Sequence, residues 1–81
     1  MKSVRLTVHA TEQCVERGAT EGEVKEAIER GVREAAKRGR FMYRLNFEYR
    51  AQWQWRFQQV APLVAEEQNA IVVVTVYTFY F

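Results

Sequence analysis

Ala70-Ile71-Val72-Val73-Val74-Thr75-Val76-Tyr77-Thr78-Phe79-Tyr80-Phe81 carries no charge, no glycine and no proline. Nearly every side chain in it is β-branched or aromatic, the types that fit a pleated surface. An apolar run of this kind reads as a central strand buried on both faces. It is too short to cross a membrane as a helix, which takes about 20 apolar residues. The rest of the chain is therefore expected to supply the surface that covers it.

The 81 residues correspond to one domain, 1–81, with 48% hydrophobic and 27% charged residues. A chain of this size buries roughly 60% of the surface it exposes when unfolded, so the core is modest. Eleven aromatic residues mean that much of it is ring packing. The one cysteine, Cys14, has no partner for an internal disulfide. With no apolar stretch behind Met1-Lys2-Ser3-Val4-Arg5, the expectation is a soluble, cytoplasmic protein with no membrane association.

Net charge is only +2, but it is unevenly placed. Residues 9–32 balance at −3, whereas residues 33–56 hold Arg33, Lys37, Arg38, Arg40, Arg44, Arg50 and Arg56 against Glu34 and Glu48. Either the second half meets an anionic partner, or its charges are a solvated sheet face.

From the N-terminus, Val4, Leu6 and Val8 alternate with Arg5 and Thr7 as a short half-buried strand. The period then changes. Ala10 and Cys14 share the inner face of a short helix that ends at Gly18, while His9, Gln13 and Arg17 form a polar stripe along it. Thr20-Glu21-Gly22-Glu23 is a capping box opening a second helix, with Val24, Ala27, Ile28 and Gly31 at inward spacing. Past the basic connector Lys37-Arg38-Gly39-Arg40 the period becomes two. Phe41, Tyr43, Leu45, Phe47 and Tyr49 alternate with polar partners, and Trp53, Trp55 and Phe57 continue that phase. Seventeen residues are long for one strand, which places a turn near Arg50-Ala51-Gln52. Val60 to Ala65 forms a third strand, with Pro62 suited to an edge or a bulge, and turns through Glu66-Glu67-Gln68-Asn69 into the terminal strand. The expected order is β-α-α-β-β-β. This is an α+β fold with two N-terminal helices on one face of a four-stranded, largely antiparallel sheet.

His9-Ala10, Glu16-Arg17-Gly18-Ala19, the capped second helix and Val74-Thr75-Val76-Tyr77 follow one another in this order. In that succession the chain, from about Val4 to Tyr77, resembles a family of small prokaryotic domains of unknown function. The family pattern runs H-A-x-x-R-x-x-x-R-G-I, a helix, then a sheet ending in T-V-Y, and is similar in fold to RelE/ParE-like and BrnT-like toxins. Here Gln13 stands in place of the first Arg and Ala19 in place of Ile, and the Trp53–Phe57 stretch is no part of the pattern.

The resemblance implies a toxin-type ribonuclease acting by attack of the RNA 2′-hydroxyl, without a metal or cofactor, or a relative that has lost this activity. Its partner would be an antitoxin. Such chemistry needs a base, a cation on the phosphate and an acid. The implied catalytic set is His9, Arg17 and Tyr77. Each has a structural alternative: His9 capping a helix, Arg17 paired with a carboxylate such as Glu21, and Tyr77 a core ring. Gln13, Lys37, Arg38, Arg40, Arg44 and Arg56 are candidates for contact with RNA or another anion. Trp53 and Trp55 are candidates for base stacking, for cross-strand packing, or for an interface with a second copy. The competing expectation is a non-catalytic interaction module, a homodimer joined through the aromatic hairpin or exposed sheet edges. Phosphate loops, paired catalytic carboxylates, Cys/His metal clusters and serine-nucleophile motifs have no counterpart in the sequence.

Overall fold

A computed structural model describes residues 2–81. It has an α+β architecture with two helices, but five strands rather than four. These are β1 (Ser3–Leu6), α1 (Val8–Arg17), α2 (Glu21–Arg30), β2 (Val32–Ala35), β3 (Phe41–Ala51), β4 (Gln54–Glu66) and β5 (Ala70–Tyr80). The sheet order is β1-β5-β4-β3-β2, with β1 parallel to β5 and every other pair antiparallel. Both helices lie on one face, α1 along β5 and α2 across β3 and β4.

The helices form where their caps require. Thr7 is extended and its hydroxyl accepts the Ala10 N–H at 3.1 Å, so α1 begins at Val8, which the alternation had placed in the first strand. Gly18 ends α1 in the left-handed conformation, φ 72°, a region that costs other L-residues roughly 1–2 kcal/mol. The expected capping box is present in both directions. Thr20 Oγ1 accepts from the Glu23 N–H, and Glu23 Oε1 accepts from the Thr20 N–H.

The strand missing from the sequence reading is β2. Its residues Val32-Arg33-Glu34-Ala35 are all exposed, so no buried alternation marks them. They are held by antiparallel pairing with Phe41–Arg44. The hairpin turn falls at Gln52-Trp53, between Ala51 and Gln54. A two-residue turn inverts the phase across the hairpin. Phe47 and Tyr49 lie on the helix side, whereas Trp55 and Phe57, in register with Arg50 and Glu48, face the other way.

The terminal strand is not the centre of the sheet; β4 is. Pro62 lies inside this inner strand, fully buried, rather than at an edge. It has no N–H to give, and the β3–β4 ladder is interrupted at Tyr43 and Arg44, across from Pro62 and Ala61. The bulge lies next door on β5. Leu63 pairs with Thr75 and Val64 with Val73, leaving Val74 as the extra residue. That extra residue shifts the phase of β5, so Val73 and Val76 both enter the core with Val24, Val60 and Val64.

At the end of α2 a glycine is required by closeness rather than by dihedral angle. A Cβ on Gly31 would stand 2.6 Å from the Arg44 carbonyl oxygen and against the Ala27 carbonyl oxygen. Both are backbone atoms and cannot swing away. We expect Gly31→Ala to lower stability by about 1–3 kcal/mol, the usual cost of overpacking. Urea unfolding measures it, and a variant as stable as the parent would contradict this packing.

Candidate functional site

The polar stripe of α1 meets the sheet where β1 runs out. The last backbone bond on that side is from the Thr7 N–H to the Val73 carbonyl, 3.0 Å. Beyond it no strand among the described residues pairs with this edge of β5. At Val76 two α1 side chains take the strand's place. Gln13 Oε1 accepts the Val76 N–H at 2.8 Å, and Arg17 Nη1 donates to the Val76 carbonyl at 2.8 Å. Spacing of i and i+4 brings the two side chains onto the same helical face, one above the other. An arginine could not replace the acceptor, since it has none to offer.

The sheet in turn closes the end of α1, whose last carbonyls have no partner within the helix. Tyr80 Oη donates to the Arg17 carbonyl at 2.7 Å and Thr78 Oγ1 to the same oxygen at 3.3 Å. Gln58 Nε2 donates to the Gly18 carbonyl at 2.9 Å and to Tyr80 Oη at 3.2 Å. Thr78 and Tyr80 were not among the residues singled out from the sequence. Their parity was the available signal: on a strand with inward neighbour Val76, they lie on the helix side.

Of the three implied catalytic residues, two are close. The Arg17 guanidinium carbon lies 5.4 Å from the centre of the Tyr77 ring. His9 is exposed in the first turn of α1, eight residues before Arg17, hence about 12 Å away along the helix axis. Its ring makes no hydrogen bond among the described residues.

The candidate binding residues are spread along the sheet. Lys37, Arg38 and Arg40 belong to the β2–β3 connection, where Arg38 is left-handed with φ 64°. Trp53 is at the opposite end of β3, 89% exposed and about 34 Å away at strand rise. Arg56 is exposed on the helix side of the hairpin, across from Tyr49. Arg44, on the helix-free side, already has partners: Nε donates to Glu34 Oε1 at 2.7 Å and Nη1 to Gln59 Oε1 at 2.9 Å, with Phe79 beneath.

The helix-free side is the other feature of the site. No element among the described residues covers it. Trp55, Phe57, Tyr77, Phe79 and Phe81 line it, with Phe57 and Phe81 stacked at 5.5 Å. Arg50, Glu48 and Asn46 are interleaved with them on the same side. Among the described residues no group of three or more His, Cys, Asp or Glu is placed to hold a metal, and no helix is long and apolar enough to cross a membrane. No family model, curated protein or solved structure matches the chain.

Cys14 is buried beneath α1. Burial pushes its thiol pKa up, with Glu21 and Glu23 adding to the effect. The folded chain therefore holds this proton more tightly than the unfolded one. The buried thiol leaves stability unchanged below the pH where a free thiol ionises, about 8.5, and lowers it as pH rises further. We expect a native thiol that is slow to alkylate, and an alkaline loss of stability that is smaller in Cys14→Ala.

The Val76 clamp gives a second expectation. Gln13→Arg removes the acceptor for a buried N–H at a cost of about 1–3 kcal/mol. Gln13→Glu keeps an acceptor beside Arg17 and should lose less. Denaturant unfolding of the pair tests the order, and the reverse order would contradict the clamp.

Proposed function

We propose that this chain is a non-catalytic protein-interaction module whose binding surface is the helix-free face of the sheet. The observation that carries the reading is the continuous row of Trp55, Phe57, Phe81, Phe79 and Tyr77 on a side that no element among the described residues covers. Large exposed apolar patches on small proteins mark interaction sites, and aromatic residues with arginine are the types enriched there. The residues that would do chemistry are engaged otherwise. Gln13 and Arg17 are bonded to the backbone of β5, and His9 stands apart from them.

A second reading keeps the implied activity, a metal-independent endoribonuclease of a toxin–antitoxin pair. The Arg17–Tyr77 contact favours it, as does the Lys37-Arg38-Gly39-Arg40 connection, whose side chains form no ion pair among the described residues. In that reading the aromatic face would receive the antitoxin.

Inducible expression in a bacterial host separates the two. The module reading expects normal growth and intact messenger RNA at high soluble expression. It also expects a bound protein lost with Trp55→Ser or Phe79→Ser and retained with His9→Ala. Growth arrest with messenger RNA cleavage, relieved by the surface substitution His9→Ala, would overturn it in favour of the ribonuclease.

A further inference from the structure

The hairpin of β3 and β4 extends past the rest of the sheet, giving the molecule extents of 45 × 24 × 23 Å. One of its edges is open. β2 ends opposite Arg44, so from Asn46 to Arg50 strand β3 has β4 on one side and, among the described residues, no strand on the other. Phe57 and Phe81 exchange both backbone hydrogen bonds, at 2.8 and 3.0 Å, which aims the Phe57 backbone at β5 and away from β3. Glu48, in register with Phe57, must then point its own N–H and C=O outward. By the alternation of the strand, so must Asn46 and Arg50. These six backbone groups form a template for another strand, of the kind proteins usually blunt.

The charges on this edge say which strand fits. Glu48 and Arg50 lie two apart on the helix-free side, and neither forms an ion pair among the described residues. A two-fold axis through Tyr49 sets β3 antiparallel to β3 of a second copy. Glu48 then faces Arg50 of the second copy, and Arg50 faces its Glu48. Both are positions whose backbone groups point outward, so each pair exchanges two backbone hydrogen bonds. Tyr49 meets its own copy at the axis, where opposed side chains come closest. Moving the axis by one residue puts Glu48 against Glu48 or Arg50 against Arg50, like charges directly opposed, which is destabilising. Charge thus selects one register. In that register the hairpin tip, with Trp53, abuts the start of β2 in the second copy, where Val32 is exposed.

We propose that the chain forms a two-fold dimer by antiparallel pairing of its β3 edges, residues 46–50, centred on Tyr49. The two sheets become one of ten strands. All four helices lie on one side, and the two aromatic faces adjoin on the other, presenting a bivalent surface. The dimer holds whether or not that surface binds a protein.

Sedimentation over a concentration series, with matched unfolding curves, tests it. Glu48→Arg and Arg50→Glu should each weaken the dimer by about tenfold, since attraction becomes repulsion in two symmetric pairs. The double swap should restore most of the affinity. Glu48→Pro should give a folded monomer, because the N–H it removes points to solvent within one chain. A wild-type chain that stays monomeric at high micromolar concentration would overturn the dimer. A dimer that survives Glu48→Pro, or one that the double swap fails to rescue, would overturn this edge and register. None of these outcomes bears on the growth and RNA test above.

Discussion

The structure depends on how the chain finishes the edge of β5. Four residues of β1 cover the first part of that strand, and a helix covers the next by lending side chains in place of a backbone. Buried N–H and C=O groups left without partners cost about as much as a lost hydrogen bond each, so the substitution is obligatory once β1 is short. It also fixes α1. The helix is anchored at its start by the Thr7 cap beside Val73, in its second half by Gln13 and Arg17, and at its end by Tyr80, Thr78 and Gln58. The Val74 bulge is part of the same arrangement, since it turns Val76 inward so that its backbone faces the helix edge.

This accounts for the glutamine at position 13. As a ligand for an anion, glutamine is the weaker choice. As the partner of an N–H it is the fitting one, since it can accept and arginine cannot. Arg17 takes the complementary task, donating to the carbonyl of the same residue. Two side chains one helical turn apart thus divide the donor and acceptor of a single peptide unit's worth of edge.

The sequence was legible where local chemistry and periodicity agree. The Thr20–Glu23 box, the Gly18 stop and the alternation of Phe41–Tyr49 each have a local cause that tertiary context left in place. It was opaque where structure is decided by a neighbour. β2 has no buried face and exists by pairing alone. Trp55 and Phe57 share the parity of Tyr49 along the chain, but a two-residue turn reverses the faces. Pro62 argued for an edge, yet it lies in the innermost strand because the ladder there breaks to suit it. The site was less legible than the fold for the same reason. Spacing along α1 put His9, Gln13 and Arg17 on a stripe, but only the end of β1 decides that Gln13 and Arg17 face backbone. Phe79 and Phe81, in a run expected to be buried on both faces, line the open face because that side of the sheet has no layer over it among the described residues.

The two sides of the sheet are finished differently, and the difference bears on assembly. On the β1 side, the outer strand is only four residues long, and α1 side chains take the place of a strand at Val76 of β5. On the β3 side, five residues remain open, with a negative and a positive charge at like-pointing positions. An edge blunted only by charge repels strands of the wrong pattern and accepts one whose charges run in the opposite order. The antiparallel copy of Glu48-Tyr49-Arg50 has that order by symmetry. A two-fold pairing uses the same edge of both copies, so this contact closes at two copies instead of continuing into a fibre. A chain with this much exposed aromatic surface and a free strand edge would otherwise be prone to open-ended association, so the closing of the edge and the openness of the face belong to one design.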